Sequence, residues 1–192
     1  MPQGRQTWRP ILLPAVVLLS ALSGCGYNTI VELEQRVNAA WAQVENQLQR
    51  RTDLIPNLVN IVKGYAAHER EIFQNIANAR AGLMQARSIP DKIDAANKLE
   101  VELRQLLVLV ESYPQLKADA TFARLMDEVA GTENRIAVER LRYNRAVEAY
   151  NAYVQRIPAT YTAKIFGFEG QKPYFKAAEG AQRVPQIDFS RP

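Results

Sequence analysis

The 192 residues include one cysteine and one histidine. A lone cysteine cannot close an internal disulfide. One histidine does not supply the several converging nitrogen, sulfur and carboxylate ligands of a metal site, so no metal and no cofactor are expected. Glycine and proline almost vanish between Tyr27 and Ile157, and no strand pattern competes with helical spacing there. Basic residues never cluster beyond the pair Arg50-Arg51, and no basic stripe is interleaved with aromatics. Nucleic-acid binding needs a concentrated positive surface, so a nucleic-acid partner is not expected. The apolar run Ile11–Leu22 is broken by Pro14 and Ser20 and is short of the roughly 20 residues a spanning helix needs.

That run has the order of a secretory signal: Arg5 and Arg9 without an acid, a short apolar core, then small residues. It ends in Leu22-Ser23-Gly24-Cys25, which resembles a bacterial lipobox. Cleavage is expected between Gly24 and Cys25, with lipid on the Cys25 sulfur; residues 1–24 are then a lipoprotein signal peptide. A short uncleaved membrane helix is the competing reading. One acyl chain anchors only marginally; lipoproteins of this type carry three. Gly26 in place of an aspartate resembles proteins sent to the outer membrane. The expected location is therefore the outer membrane, facing the periplasm; the alternative is the inner membrane, held by the uncleaved helix. Loss of residues 1–24 leaves 22 basic against 20 acidic residues, so the formal charge falls from +4 to +2.

Beyond the anchor, apolar residues recur three and four apart. Four helices are expected, at about 29–51, 54–87, 90–113 and 119–157. Thr29 with Glu32 reads as a capping box, Asp53 as an N-cap, and Ser88 with Pro90 as a cap and first turn. Pro56 lacks a backbone N–H, which places a break near Thr52; one long helix kinked at Pro56 is the alternative. Pro114 and Pro158 end the third and fourth helices. The stripes run through Ile30, Val37, Trp41 and Leu48, then Leu58, Val62, Tyr65, Phe73, Ile76 and Met84. They continue through Leu99, Leu103, Leu106, Leu107 and Val110, then Phe122, Val129, Ile136, Leu141, Val147, Tyr150 and Val154. Short links make successive helices antiparallel. The fold expected is all-α: an elongated antiparallel up-and-down four-helix bundle over residues 25–157. An irregular C-terminal tail over 158–192, partly packed then flexible, follows it. The tail holds six of the sixteen aromatics, which argues that part of it packs on something.

The wording of the helices is itself recognisable. Gly26-Tyr27-Asn28, Asn38-Ala39-Ala40-Trp41, the run QLQRRTDLIPNLVNIV over 47–62 and Lys63 through Glu69 resemble the LemA family. So do Val110 through Ala118, Thr132 through Ala137, Tyr143-Asn144, Tyr150-Asn151 and Gly167-Phe168. The resemblance implies a helical bundle and brings no established enzymatic activity. Many such proteins begin with a membrane helix where this chain has a lipobox.

Candidate interaction residues fall in three groups. Pro56 and Asn57 stand at the expected helix junction, with Tyr65 and His68 one turn apart beyond them. Glu133, Arg135, Tyr143 and Asn144 form a polar patch on the fourth helix, where Arg135 and Glu139 are spaced for an ion pair. Phe166, Phe168, Tyr174 and Phe175 crowd the tail. No nucleophile–base pair is evident, and no catalytic residue is assigned. The chain reads as a non-catalytic interaction or scaffold module in the cell envelope. Its expected partners are membrane lipid, through acylated Cys25, and envelope proteins. The alternatives are a bundle that binds a lipid-like or small apolar ligand, and an envelope enzyme using Glu133, Arg135 or His68.

Overall fold

A computed structural model describes residues 9–176, with side chains from Gly26 onward. Gly24 and Cys25, where cleavage and lipidation are expected, precede the residues whose side chains are described, and the flexible tail expected from 177 lies outside the described residues. Within them the fold is an all-helical bundle. Its helices are α1 (Arg9–Tyr65), α2 (Arg70–Gln85), α3 (Ile89–Glu111), α4 (Pro114–Lys117), α5 (Ala120–Val154) and α6 (Ala159–Phe166).

The first two boundaries differ from expectation. α1 runs unbroken through Thr52 and Pro56, and the turn comes later, at residues 66–69. Thr29 and Glu32 are therefore interior residues rather than a capping box. Asp53 is no N-cap either; it accepts from Gln49 Nε2 at 2.8 Å. The carbonyl that Pro56 leaves without a helical donor finds another one. Proline supplies no N–H to the carbonyl four residues back, which leaves the Thr52 oxygen without its helical donor. Arg80 of α2 donates its Nε to that oxygen at 3.1 Å. The buried Thr52 hydroxyl donates to the Leu48 carbonyl at 2.8 Å. A defect made by the local sequence is thus closed from another helix.

The later caps follow the sequence. Ser88 Oγ accepts the Asp91 N–H at 3.2 Å at the start of α3, with proline in the first turn. Asp119 opens α5: its Oδ1 accepts from the backbone of Thr121 and Phe122 at 2.8 and 2.9 Å, and its Oδ2 from the Tyr65 hydroxyl at 2.9 Å. The Phe122 amide, then the Tyr65 hydroxyl, hold the Asp119 carboxyl below its ordinary range. A carboxyl lowered in the folded state stabilises above its unfolded pKa, and that contribution is lost as pH falls toward the folded value. Stability should decline in this way below the ordinary aspartate value of 3.8. Asp119→Asn should flatten that limb in urea midpoints measured across pH, and an unchanged acid limb would remove Asp119 from the account.

The tail is less irregular than expected. Residues 159–166 form α6, which closes on Gly167 at φ 73°. Only glycine takes that left-handed conformation without strain. The Phe168 N–H returns to the Ala163 carbonyl at 2.9 Å, a Schellman closure.

The chain divides into two compact units, and α1 and α5 each contribute to both. One takes the residues up to Ala42 with Arg142–Lys172. Its core holds Ile30, Val37 and Trp41 of α1, Tyr143, Val147, Tyr150 and Val154 of α5, and Ala159 and Ala163 of α6. The other takes Gln43–Leu141 and the chain from Pro173 onward. There Leu58 and Val62 of α1, Phe73 and Ile76 of α2, Leu99, Leu103 and Leu106 of α3, and Phe122, Val129 and Ile136 of α5 are buried. Four stripe residues are instead exposed: Tyr65, Met84, Leu107 and Leu141. Successive helix residues point 100° apart. Leu83 and Leu106 hold the buried positions beside Met84 and Leu107, and Tyr143 takes the one that Leu141 was expected to fill.

Candidate functional site

Charged side chains gather in two clusters, one in each unit, and of the residues expected to carry function only Glu133 joins one through an ion pair. In the larger unit the centre is Arg51, whose side chain is 2% exposed and pairs with Glu133, whose side chain is 42% exposed. Arg51 lies three residues from Leu48 and four from Ile55, so the apolar spacing of α1 carries its guanidinium inside. Burial pushes its pKa down to about 10, against the attraction of Glu100. Glu100 also pairs with Arg140 at 3.2 Å. Arg140 lies four residues after Ile136, and its guanidinium stacks 4.3 Å from the centre of the Phe175 ring. Asn97 Nδ2 donates to the Lys176 carbonyl at 3.1 Å. Two basic and two acidic groups from α1, α3 and α5 thus form one network, with the end of the described chain laid over it.

The other unit has Lys172 at its polar centre. Its Nζ pairs with Glu34 at 2.8 Å and Glu169 at 2.9 Å. Asn151 clamps its backbone, accepting the Lys172 N–H at 2.7 Å and donating to the Lys172 carbonyl at 3.0 Å. The Tyr150 hydroxyl donates to the Glu169 carbonyl at 2.8 Å. Burial draws the Lys172 ammonium down, but its hydrogen bonds to Glu34 and Glu169 prevail and raise its pKa above the ordinary value. Tyr143, fully buried and edge-on to Trp41 at 5.1 Å, has its phenol pushed up to about 12 by burial. Burial raises Tyr150 as well. Activation of a nucleophile or base calls for a pKa moved toward working pH. Here the lysine is held charged and the phenols un-ionised, which suits packing and registry.

The candidate residues therefore part company. Glu133 is brought to Arg51, while Arg135 is exposed on another side of α5. Asn144 is half-buried, and Tyr143 belongs to the core rather than to a polar patch. His68 is exposed in the α1–α2 turn and not on a helix as expected. Tyr65 is bound to Asp119. Pro56 lies inside α1, and Asn57 lines an open depression of about 470 Å³ with Asn60, Ile61, Arg124 and Glu128. Phe166 and Phe168 meet Tyr27 at 4.8 and 5.6 Å, Phe175 is buried under Arg140, and Tyr174 is exposed. A larger groove of about 860 Å³ lies between α2 and α3. Its lining mixes polar residues such as Asn75, Asn78, Asp91 and Lys98 with small apolar ones such as Ala79 and Ala95.

The family model described as LemA family matches residues 40–189. Among known proteins, magnetosome proteins MamQ 1 and MamQ 2 of Paramagnetospirillum magneticum (strain ATCC 700264 / AMB-1) are each 28% identical over 188 residues. Those alignments cover 84% of this chain and 66% of each relative, so the chain spans just under two thirds of their length. Magnetosome protein MamQ of Magnetospirillum gryphiswaldense (strain DSM 6361 / JCM 21280 / NBRC 15271 / MSR-1) is 25% identical over 189 residues, covering 84% and 70%. With most of its length matched by the family model, the chain belongs to the LemA family.

Proposed function

We propose that this chain is a membrane-anchored lipoprotein of the cell envelope whose helical bundle works as a non-catalytic interaction or scaffold module. One observation carries the reading: acids and bases of the two clusters pair with one another, while large apolar side chains stand outside. Val108 of α3 is 72% exposed, and Val101, Val138 and Leu141 are also exposed. Exposed apolar surface of this kind is what a protein partner covers. The relatives' names point the same way, since they attach those proteins to a cellular structure and not to a reaction. The lipobox ending at Cys25 supplies the anchor, and Gly26 favours the outer membrane.

Two measurements test the proposal. The anchored chain isolated from cells should yield an N-terminal peptide beginning at Cys25 with the mass of attached lipid. A photo-crosslinking amino acid at Val108 should trap the same envelope protein in repeated preparations, and one at exposed Glu71 of α2 should not. Failure of the first removes the lipoprotein; absence of any recurrent adduct removes the interaction module.

A further inference from the structure

One exposed apolar surface lies apart from both ion-pair clusters. We propose that α6 and the turn before it form a second membrane contact, an apolar and basic face lying on the phospholipid surface beside the N-terminal anchor. The inference rests on the reading of the chain as anchored near its N-terminus, and it holds whether that anchor is lipid on Cys25 or an uncleaved helix.

Three observations meet at α6. Its two sides are sharply different. Ala159, Thr162 and Ala163 are buried, whereas Tyr161 and Ile165, one turn apart, are 59% and 77% exposed, with Phe166 exposed beside them and Ile157 of the preceding turn 77% exposed. Side chains of that size do not gain from water, and clustered together they mark a contact surface.

The place of the helix names the contact. The Tyr27 ring packs edge-on against Phe166 at 4.8 Å and tilted against Phe168 at 5.6 Å. Gly26 faces Thr162, whose Oγ1 stands 3.4 Å from where a β-carbon on Gly26 would lie. Gly26 directly follows Cys25. α6 is therefore held against the residues next to the anchoring position, where the membrane surface must be close.

The charge agrees with a bilayer. Between Asn151 and Phe168 the charged residues are Arg156 and Lys164, and no acid appears until Glu169. Segments that lie in the membrane interface pair aliphatic and aromatic side chains with lysine and arginine, and they are drawn to anionic headgroups. Tyr161 suits that depth, with an apolar ring and a polar tip. A protein partner could cover an apolar face as well. The one-sided positive charge and the neighbouring anchor favour lipid.

The test uses the full chain, isolated from membranes and reconstituted into vesicles of phosphatidylcholine and phosphatidylglycerol. An environment-sensitive fluorescent amino acid is placed at position 165 by stop-codon suppression, and in a control chain at position 108. Circular dichroism confirms that each chain keeps its helices. With brominated phosphatidylcholine in the vesicles, emission from position 165 should fall about two-fold, as expected for a face buried ~5–10 Å into the headgroup boundary, while position 108 stays unquenched. Arg156→Glu with Lys164→Glu should reverse much of the quenching. Equal, weak quenching at both positions would overturn the proposal. So would shielding of position 165 in native envelope membranes alone, which would make the occupant a protein. An N-terminal peptide without lipid would refute the lipoprotein and leave quenching at position 165 to be judged by itself.

Discussion

Glu133→Ala is expected to lower the unfolding free energy by about 3 kcal/mol, the low end of the range for removing one partner of a buried ion pair. The mechanism is the stranding of Arg51. Its side chain is 2% exposed, and arginine stays protonated at neutral pH even with its pKa lowered to about 10. Without Glu133 the guanidinium remains inside with Glu100 as its nearby acid and Arg140 as a repelling neighbour. The low end applies because the Glu133 side chain is 42% exposed, so water can partly replace it. Removing both charges should be milder than removing one. Arg51→Met with Glu133→Met leaves no uncompensated charge and fills the site with apolar volume, an exchange that is often neutral. Urea unfolding followed by circular dichroism measures all three chains. If Glu133→Ala costs under about 1 kcal/mol, the pair behaves as a surface pair, and Arg51 has another means of stabilisation.

The contrast between Arg51 and Glu133 also shows what could be read beforehand. Apolar periodicity found the four long helices and most of their buried faces, because a stripe such as Leu99, Leu103, Leu106 and Val110 is a local property. The polar patch on the fourth helix pointed to Glu133 but not to its partner. Arg51 reads as half of a surface pair with Arg50 unless its spacing from Leu48 and Ile55 is taken as a signal of burial. Tyr143 was hidden in the same way among Arg142 and Asn144, although its spacing from Ile136 and Val147 puts it on the core stripe. Lys172 gave no signal. Its partners Glu34 and Glu169 are joined by folding across 138 and three positions of sequence. The α1–α2 turn was missed for the complementary reason. Ala66, Ala67 and Glu69 favour helix individually, and the one breaker beside them, Gly64, competes with the stronger breaker upstream, Pro56, which the fold overrules.

That overruling makes the second large prediction. Arg80→Met should cost about 2 kcal/mol, because it removes the donor from the Thr52 carbonyl while keeping an apolar stem; an acceptor left unsatisfied in a buried setting costs ~1–3 kcal/mol. The cost should depend on Pro56. Alanine at position 56 restores the N–H that the Thr52 oxygen would meet in an uninterrupted helix and relieves the clash of the proline ring. Pro56→Ala alone should stabilise by about 1 kcal/mol. This is well below the ~3 kcal/mol difference between proline and alanine in a helix interior, since Arg80 already satisfies the carbonyl and alanine frees the unfolded chain. With Ala at position 56, Arg80→Met should cost about 1 kcal/mol less than it does beside proline. That coupling falls within the range seen for residues sharing one hydrogen-bonding group. Four chains and one urea series close the cycle. Strictly additive losses would show that Arg80 and Pro56 act independently, and that α1 passes through its proline by packing alone. A coupling of the expected sign would show that α2 supplies, through one guanidinium, the hydrogen bond that the α1 sequence lacks.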